Sequence, residues 1–460
     1  MTTTGTRTFD LPGFGGQLIH PGESGYDEAR AVFNGMIDRR PAVIAVCTSA
    51  DDVVAAVNHA RESGLPISVY GGGHSVTGAS VVDEGICIDM RGMKGISVDP
   101  AARTVRAEAG LNWGEFDAAT QEHGLAVTGG RVPDTGIAGL ALGSGSGWLE
   151  RKLGFTCDNL LAAELVTADG RIVRASATEN PELFWGLRGG GGNFGIVTAF
   201  HLQLHPIGPI VLGGLLVYPA PMARDLVRFW RDFMLSAPDE VGSALAFITA
   251  PPADFVPEPV RGHPVVGAVI CYAGPVEEGE KVLRPLREFG PPGLDLVQPM
   301  PYTAVQDLIT ESNPHGMRNY WNADFLTELP DAAVDALVEH ATQPVSPLSQ
   351  MLLIAGGGAI ARVSDDETAF GDRGSPFGVH FLSMWSDPAD DAKNIAYTKA
   401  ISAAMQQWTT GSVYLNFIGD EGMSRVEAAF GPDKYKRLQA LKREWDPQNL
   451  FCHNQNIVPG

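Results

Sequence analysis

The sequence lacks any long uninterrupted apolar segment. A membrane-spanning helix needs about 20 consecutive, mainly apolar residues, whereas the longest candidates, Ile210–Tyr218 and Met351–Ala361, are short and contain glycine. Residues 1–7 contain no apolar segment of the kind found in a secretory signal. These absences predict a soluble, cytoplasmic protein with no membrane partner.

Cysteine and positive charge are also scarce. The five cysteines are scattered and form no Cys-x-x-Cys pair, which argues against a disulfide framework and a zinc site, so no metal is expected. The chain has 33 lysines and arginines against 54 aspartates and glutamates, a net charge of −21. That balance disfavours nucleic acid and anionic membrane surfaces as partners.

Glycine, by contrast, is abundant, and its most informative cluster is Gly71-Gly72-Gly73-His74-Ser75. The cluster follows Leu65–Tyr70, an apolar run that predicts a buried strand. Glycines permit positive φ angles and close approach to a bulky group, and successive N–H groups in such a turn suit a pyrophosphate. The local pattern fits equally well a glycine-rich turn with a surface histidine.

Two more glycine-rich segments follow, at residues 129–154 and 189–195. Gly190, Gly192 and Gly195 satisfy G-x-G-x-x-G, but a predicted helix precedes them and a predicted strand, Ile196–Leu204, follows. This order is the reverse of a dinucleotide-binding turn, which excludes NAD. The mixture of short strands and helices predicts an α+β unit.

The chain is too long for one ordinary core. After Ile207 the glycine clusters thin out, and alternating helices and strands predict a second α+β unit that the helix Ala389–Trp408 closes. We therefore expect three parts, residues 1–206, 207–410 and 411–460.

Four stretches taken together resemble the berberine-bridge-enzyme-like FAD-linked oxidases, flavoproteins of the vanillyl-alcohol-oxidase type. They are residues 71–75, 136–147, 182–197 and 446–456. The resemblance implies a two-subdomain PCMH-type FAD-binding domain and a substrate domain whose antiparallel sheet is covered by helices. It also implies that the last segment returns to the FAD domain.

The resemblance implies FAD bound covalently through His74. Members that attach FAD twice carry a cysteine where this chain has Val132, so the likeness is to the mono-covalent branch that includes the hydroxynicotine oxidases. An acidic and basic pair of that branch aligns near Met351 and Leu353, so a hydroxynicotine substrate is not expected. The implied FAD-binding residues are Gly71, Gly72, Gly73, His74, Ser75, Ser80, Val132, Asp134, Thr135, Gly136, Gly139, Gly145, Gly147, Asp158, Gly195, Ile196, Val197, Asn416, Asn454 and Asn456.

The implied reaction is hydride transfer from a small alcohol, sugar, amine or phenolic compound to FAD, with O2 as the final acceptor and H2O2 released. Tyr414 is the expected catalytic base or its main partner, on a strand whose same face carries Asn416. The alternative is a buried tyrosine with a satisfied hydroxyl. Thr135 is the expected gate for oxygen, or else a residue that only hydrogen-bonds the flavin or the backbone.

The candidate substrate residues come from the second α+β unit. Arg318, Tyr320 and Trp321 form one short run that suits an oxygen-rich or aromatic substrate. For His315 and His380 we expect ordinary packing or surface positions. Two other functions stay open, a dehydrogenase of the same fold and a non-catalytic flavin-binding or interaction protein, and either a monomer or a homodimer is expected.

Overall fold

The computed structural model describes residues 11–254 and 256–460. Its first sheet has the strand order β1-β2-β4-β3, in which β2, β4 and β3 are parallel and β1 is an antiparallel edge. Helix α2 crosses between β2 and β3, and Ser49 and Asp52 form a capping box at its start. The elements are β1 Gln17–Ile19, α1 Tyr26–Ala29, β2 Val43–Val46, α2 Ala50–Ser63, β3 Ile67–Tyr70 and β4 Ile86–Asp89.

The second sheet is antiparallel, with the order β5-β6-β10-β8-β9, while β7 and β11 form a separate pair. A hairpin turn at Asp169-Gly170 joins β8 and β9, and Gly170 has a φ of +81°. The elements are β5 Ile96–Asp99, β6 Thr104–Glu108, α3 Trp113–Gln121, β7 Leu125–Ala126, α4 Ile137–Leu142, α5 Glu150–Leu153, β8 Leu160–Val166, β9 Ile172–Ser176, α6 Pro181–Leu187, β10 Ile196–Gln203 and β11 His205–Pro206.

One apolar core joins these two sheets. Val53 and Val57 on α2 are fully buried and belong to the same cluster as Trp113 and Phe116 on α3. Because both sheets bury one face in this cluster, residues 11–206 form a single packed unit, which we call the FAD unit.

Residues 207–410 build an eight-stranded antiparallel sheet with the order β15-β12-β14-β13-β18-β19-β17, and β16 also pairs with β12. Helices cover one face of this sheet in a second core. The elements are β12 Ile210–Pro219, α7 Ala223–Ser236, β13 Val241–Thr249, β14 Pro264–Tyr272, α8 Val276–Glu288, β15 Leu294–Asp295, β16 Gln298–Pro301, α9 Tyr302–Gln306, β17 Arg318–Leu326, α10 Asp331–Ala341, β18 Gln350–Ala355, α11 Ala359–Arg362, β19 Phe377–Trp385 and α12 Asp391–Met405.

Residues 411–460 pack back on the FAD unit through α13 Met423–Phe430 and α14 Pro432–Trp445. Lys442 on α14 is fully buried, and its Nζ donates hydrogen bonds to the Asp446 carboxylate and to the Asn193 and Phe451 carbonyls. A buried charge with all these partners fixes the segment in one position. The fold is therefore α+β, as predicted.

Two predicted elements differ from the structure. Leu415–Phe417 is a 3-10 turn and not a strand, and the long helix α12 is shorter than Ala389–Trp408 because 3-10 turns flank it at both ends. In the part of the chain that the structure describes, no helix is long and apolar enough to cross a membrane.

Candidate active site

A cavity of about 360 Å³ lies where the FAD unit, the large sheet and residues 411–460 meet. Its first wall, which we call the glycine wall, comprises residues 71–75, 135–143 and 189–197. Its second wall, which we call the sheet wall, comprises cavity-facing side chains of β17, β18 and β19. They are Trp321, Gln350, Leu352, His380 and Leu382.

Some glycines of the glycine wall are required by the protein's own packing. A Cβ on Gly72 would lie 2.2 Å from the Gly136 backbone nitrogen, so these two turns touch backbone to backbone. Gly73 has a φ of +71°, in the left-handed region that favours glycine, and a Cβ there would lie 2.4 Å from the Tyr70 hydroxyl. These positions would be glycine with or without a ligand.

Packing within the protein does not explain why Gly139 and Gly192 are glycine. Both line the cavity, neither has a positive φ, and no heavy atom of the described chain lies within 4 Å of a Cβ added at either position. Gly139 even lies inside helix α4, where glycine costs about 1 kcal/mol relative to alanine. The bare backbone here fits a bulky group that lies against it.

Buried hydrogen-bond acceptors near the C-terminus also indicate a bound ligand. The Asn454 Oδ1 and Asn456 Oδ1 atoms are buried and find no hydrogen-bond partner within residues 11–254 and 256–460. The Asn454 Nδ2 donates to the Gly192 carbonyl, which holds this side chain against the glycine wall. An unpaired buried acceptor is costly, so the end of the cavity that Asn454 lines fits a ligand with O–H or N–H donors, as FAD has.

The His74 ring is held on three sides. It stacks on the fully buried Phe33 with ring centroids 4.9 Å apart, and its Nε2 lies 2.9 Å from Asp134 Oδ1, although off the line of a good hydrogen bond. The other Asp134 oxygen lies 2.6 Å from His315 Nε2. We call these side chains the His74–Asp134–His315 cluster.

Asp134 is the negative centre of this cluster. Burial raises its pKa, but the contacts with His315 and His74 outweigh burial and hold the pKa well below its usual range. A carboxylate beside Nε2 favours the tautomer with the proton on Nε2, which leaves the lone pair on Nδ1. The ligand atoms of the cluster are also close enough to hold a metal ion, lying within 4.8 Å of one another.

Tyr414 lies in the cavity wall with its hydroxyl oxygen surrounded by donors. The backbone N–H groups of Gly145 and Ser146 donate to it over 3.0 and 2.9 Å, and the Asn416 Nδ2 donates over 3.2 Å. Burial raises the pKa of Tyr414, while these hydrogen bonds act to lower it. The turn Leu415–Phe417, in place of the predicted strand, brings Asn416 back to the Tyr414 hydroxyl.

The sheet wall is neutral and largely apolar. His380 on β19 is buried, stacks on Phe417 with ring centroids 4.1 Å apart, and meets the edge of Trp321. Neither of its ring nitrogens has a hydrogen-bond partner among the described residues. Burial, with the nearby Arg131 charge, lowers its pKa to about 3, so the ring is neutral.

His380 is the main residue that our sequence interpretation undervalued, since we favoured ordinary packing over a place in the pocket for it. Alternation along β19 puts Val379 and Phe381 in the helix-covered core and His380 on the cavity side. The same alternation corrects the alignment expected for β18, in which Met351 and Leu353 stood at the positions of the acidic and basic pair. Met351 and Leu353 lie in the core, and the cavity-facing neighbours are Gln350 and Leu352.

Phe33 was also missed, because it lies in a loop with no pattern to mark it. Most of the other predicted residues do line the cavity. They are Gly71, Gly72, Gly73, His74, Ser75, Ser80, Val132, Thr135, Gly136, Gly139, Gly195, Ile196, Val197, Trp321, Tyr414, Asn416 and Asn454.

Several predicted residues lie elsewhere. Gly145 and Gly147 make close backbone packing, with added Cβ atoms 2.1 Å from Thr156 Oγ1 and 1.9 Å from the Gly129 carbonyl. Asp158 forms a buried, two-bond ion pair with Arg373. The remaining predicted residues beyond the cavity lining are Asp134 and Asn456, described above, and Arg318 and Tyr320.

Arg318 and Tyr320 are engaged away from the cavity. Arg318 binds the Asp391 carboxylate through Nε and Nη2 over 2.6 and 2.5 Å, and Tyr320 donates to Glu421. Both lie on the face of β17 opposite to Trp321, because successive side chains of a strand point in opposite directions.

Comparison with known proteins agrees with this site. Residues 41–176 match the family model of an FAD binding domain, and residues 413–458 match the model named berberine and berberine like. The chain is 33% identical to the (R)-6-hydroxynicotine oxidase of Paenarthrobacter nicotinovorans, covering 96% of this chain and 97% of that protein. It is 32% identical to an FAD-linked oxidoreductase of Dictyostelium discoideum, covering 91% and 89%.

Among solved structures, 6-hydroxy-D-nicotine oxidase from Arthrobacter nicotinovorans matches over the full length of both chains, with 30% identity and a TM-score of 0.88. The match therefore covers the glycine wall, the large sheet and the returning C-terminal segment together. The chain belongs to the berberine-bridge-enzyme-like family of FAD-linked oxidoreductases.

Proposed function

We propose that this oxidoreductase is an oxidase that removes a hydride from a small, hydroxylated organic substrate, holds FAD covalently through His74, and uses Tyr414 as its base and O2 as its final electron acceptor. FAD, when bound, supplies the hydride acceptor. The observation that carries the proposal is the pair of backbone donors, from Gly145 and Ser146, on the Tyr414 oxygen in the cavity wall.

Tyr414 has hydrogen-bond donors that favour its phenolate, although burial raises its pKa. A phenol has a pKa of about 10 in water, and the N–H groups that point at its oxygen stabilise the phenolate more than the phenol. From the cavity wall the phenolate accepts the proton of the substrate hydroxyl while the hydride leaves the adjacent carbon. This division of labour is general base catalysis.

The covalent link is supported by the orientation of His74. The contact with Asp134 occupies the Nε2 side of the ring, and Phe33 stacks on its face. The Nδ1 lone pair is thereby the one available for a bond to carbon. The Nε2–Asp134 contact also stabilises any positive charge that develops on the ring.

O2 as acceptor is supported by the size of Thr135, which lines the cavity beside the Gly72–Gly136 contact. Threonine has nearly the shape of valine and leaves more room than leucine. The oxidases among the relatives also favour an oxidase. The measurement is reoxidation of the photoreduced enzyme in air-saturated buffer, in the wild type and in Thr135→Leu.

The outcomes separate the proposal from its alternatives. Rapid reoxidation with H2O2 release, slowed in Thr135→Leu, supports the oxidase. Reoxidation no faster than that of free reduced flavin, with turnover on a quinone, would mean a dehydrogenase. A flavin that no alcohol, sugar, amine or phenol reduces under anaerobic conditions would mean a flavin-binding protein without this activity.

A further inference from the structure

The sheet wall presents one buried polar group in an apolar surrounding. Across strands β17, β19 and β18 the paired residues form two rows on the cavity side. Trp321, Leu382 and Gln350 form the first row, and Ala323, His380 and Leu352 form the second. His380 is thus the centre of this surface, between a small residue and an aliphatic one.

Among the polar side chains of this wall, His380 is the one with both polar atoms buried and unpartnered in the described chain. The side-chain nitrogens of its polar neighbours, Gln350 and Asn313, already donate to the Ser312 and Ile309 carbonyls over 2.7 and 2.8 Å. His380 is 2% exposed, and its donor and acceptor nitrogens have no partner in the described chain. Because an unpaired buried polar group is costly, the ring is placed to bind a polar group of a ligand.

The charged side chains near the sheet wall do not favour an ionic substrate. Of the residues that the structure describes, no aspartate, glutamate or lysine lines the cavity. Arg131 does line it, but its guanidinium is paired with Glu150 over 3.1 Å and lies over the Trp148 ring. A cationic amine would find no carboxylate here, and an anion would have to compete with Glu150.

We infer that the substrate is a small, uncharged aromatic alcohol, whose ring lies against Trp321, Leu382 and Phe417 and whose hydroxyl oxygen accepts a hydrogen bond from His380. The hydroxyl oxygen can accept a hydrogen bond from the N–H of the neutral imidazole, which leaves the hydroxyl proton free for Tyr414. An oligosaccharide would bring many hydroxyls to a wall with a single buried partner. The inference rests on the proposed oxidase, because it places this ligand as the substrate.

The test measures binding separately from reaction. Phenol and fluorobenzene, which differ by the hydroxyl, are titrated into the oxidised holoenzyme, and binding is followed by the change in flavin absorbance. We expect phenol to bind at least ~10-fold more tightly than fluorobenzene. In His380→Phe, which keeps the ring that stacks on Phe417, we expect this ratio to fall to about 1 while fluorobenzene binding is retained.

A gain-of-affinity variant guards against a result caused by poor folding. Gln350→Glu puts a carboxylate of the same size on the sheet wall, and we expect it to bind benzylamine at least ~10-fold more tightly than the wild type does. Wild-type enzyme that binds benzylamine as tightly as phenol would overturn the uncharged ligand class. An unchanged phenol-to-fluorobenzene ratio in His380→Phe would overturn the role of His380.

Anaerobic reduction by benzyl alcohol and by glucose distinguishes the two proposals. If phenol binds through His380 but no aromatic alcohol reduces the flavin, the oxidase fails and the ligand class stands. If glucose reduces the flavin and phenol does not bind, the oxidase stands and the ligand class is overturned.

Discussion

In the proposed link between His74 and FAD, the carboxylate of Asp134 favours Nδ1 of His74 as the bonding nitrogen. It touches the Nε2 side of the ring and is itself held by His315. Replacing Asp134 with asparagine keeps the size of the side chain but removes the charge. His74 then loses its preference for the proton on Nε2.

We therefore expect Asp134→Asn to bind FAD but to attach it at least ~10-fold more slowly, since one lost ionic contact costs about 1.4 kcal/mol or more. The measurement is the fraction of flavin that stays with acid-precipitated protein as purified apoprotein is incubated with FAD. His74→Ala is the control that attaches none. Attachment at the wild-type rate would remove Asp134 from this role.

Tyr414 gives a prediction about pH. Burial raises its pKa in spite of the three hydrogen bonds to its oxygen, so the base is mostly protonated near neutral pH. The rate of flavin reduction should rise with pH by about tenfold per unit and reach no plateau below pH ~10.

Tyr414→Phe should keep FAD, lose this slope and reduce the flavin ~10²-fold or more slowly. Stopped-flow measurement of flavin reduction between about pH 6 and 9.5, which lies below the phenol pKa of about 10, gives both the pH slope and the ratio of the two rates. A rate in the wild type that does not change with pH would show that another group takes the proton.

At the scale of single elements, helix α4 is built for its ligand at the expense of its own stability. Gly139 lies within this helix, and an added Cβ would point into the cavity. Gly139→Ala should raise the stability of the apoprotein by up to about 1 kcal/mol and at the same time weaken FAD binding.

Two measurements check this opposite effect, thermal unfolding of the apoprotein and retention of FAD on dilution. Gly279→Ala is a matched control in helix α8, because a Cβ there would lie 2.5 Å from the Tyr272 ring. The control should lose stability without a change in FAD retention. Weaker apoprotein stability in Gly139→Ala would contradict our account of the helix.

Local elements were predictable where the pattern was strong. The α2 capping box, the hairpin at Asp169-Gly170 and the strand after Gly195 follow from local turn chemistry and alternation. The glycine wall could be found as motifs. The sequence could not show that Gly72 serves the Gly136 contact and Gly139 serves a ligand, because that distinction depends on distant backbone.

The substrate side was predicted less well, for a reason of periodicity. Arg318, Tyr320 and Trp321 were taken together, yet residues 320 and 321 of one strand must point to opposite faces. An error of one residue in the alignment of β18 likewise exchanges Met351 for Leu352. The place of His380 in the site could be recognised only once one face of β19 was known to line a cavity.

At the scale of the whole molecule, the contact between the two units contains a buried carboxyl group. Asp117 on α3 accepts a hydrogen bond from Gln306 on α9 over 3.0 Å, and its other oxygen has no partner in the described residues. Burial raises the pKa of Asp117 to about 7, an effect that the Gln306 hydrogen bond only partly offsets. The contact is thus sensitive to pH.

The sign follows from the raised pKa. The folded protein holds this proton more tightly than the unfolded chain does, so the stabilisation is complete below the unfolded pKa of about 4 and is lost as the pH rises through about 7. Asp117→Asn should raise the melting temperature at pH ~8 by several degrees and leave it little changed at pH ~4.

Thermal unfolding of the wild type and of Asp117→Asn between pH ~4 and ~8 checks the prediction. Glu62 is exposed, so Glu62→Gln is a control that should leave the melting temperature unchanged at both pH values. The same pH dependence in the wild type and in Asp117→Asn would show that other groups set it.

The returning segment has a consequence for how the protein is made. Tyr414, Asn416 and Asn454 complete a cavity whose other walls come from residues 67–382, and the ribosome synthesises residues 411–460 after those walls. Units fold in order as they emerge, so both units are shaped while the cavity is still open on one side. A ligand therefore meets the complete cavity only after residues 411–460 have been translated and have docked, with Lys442 bonded to Asn193 and Asp446.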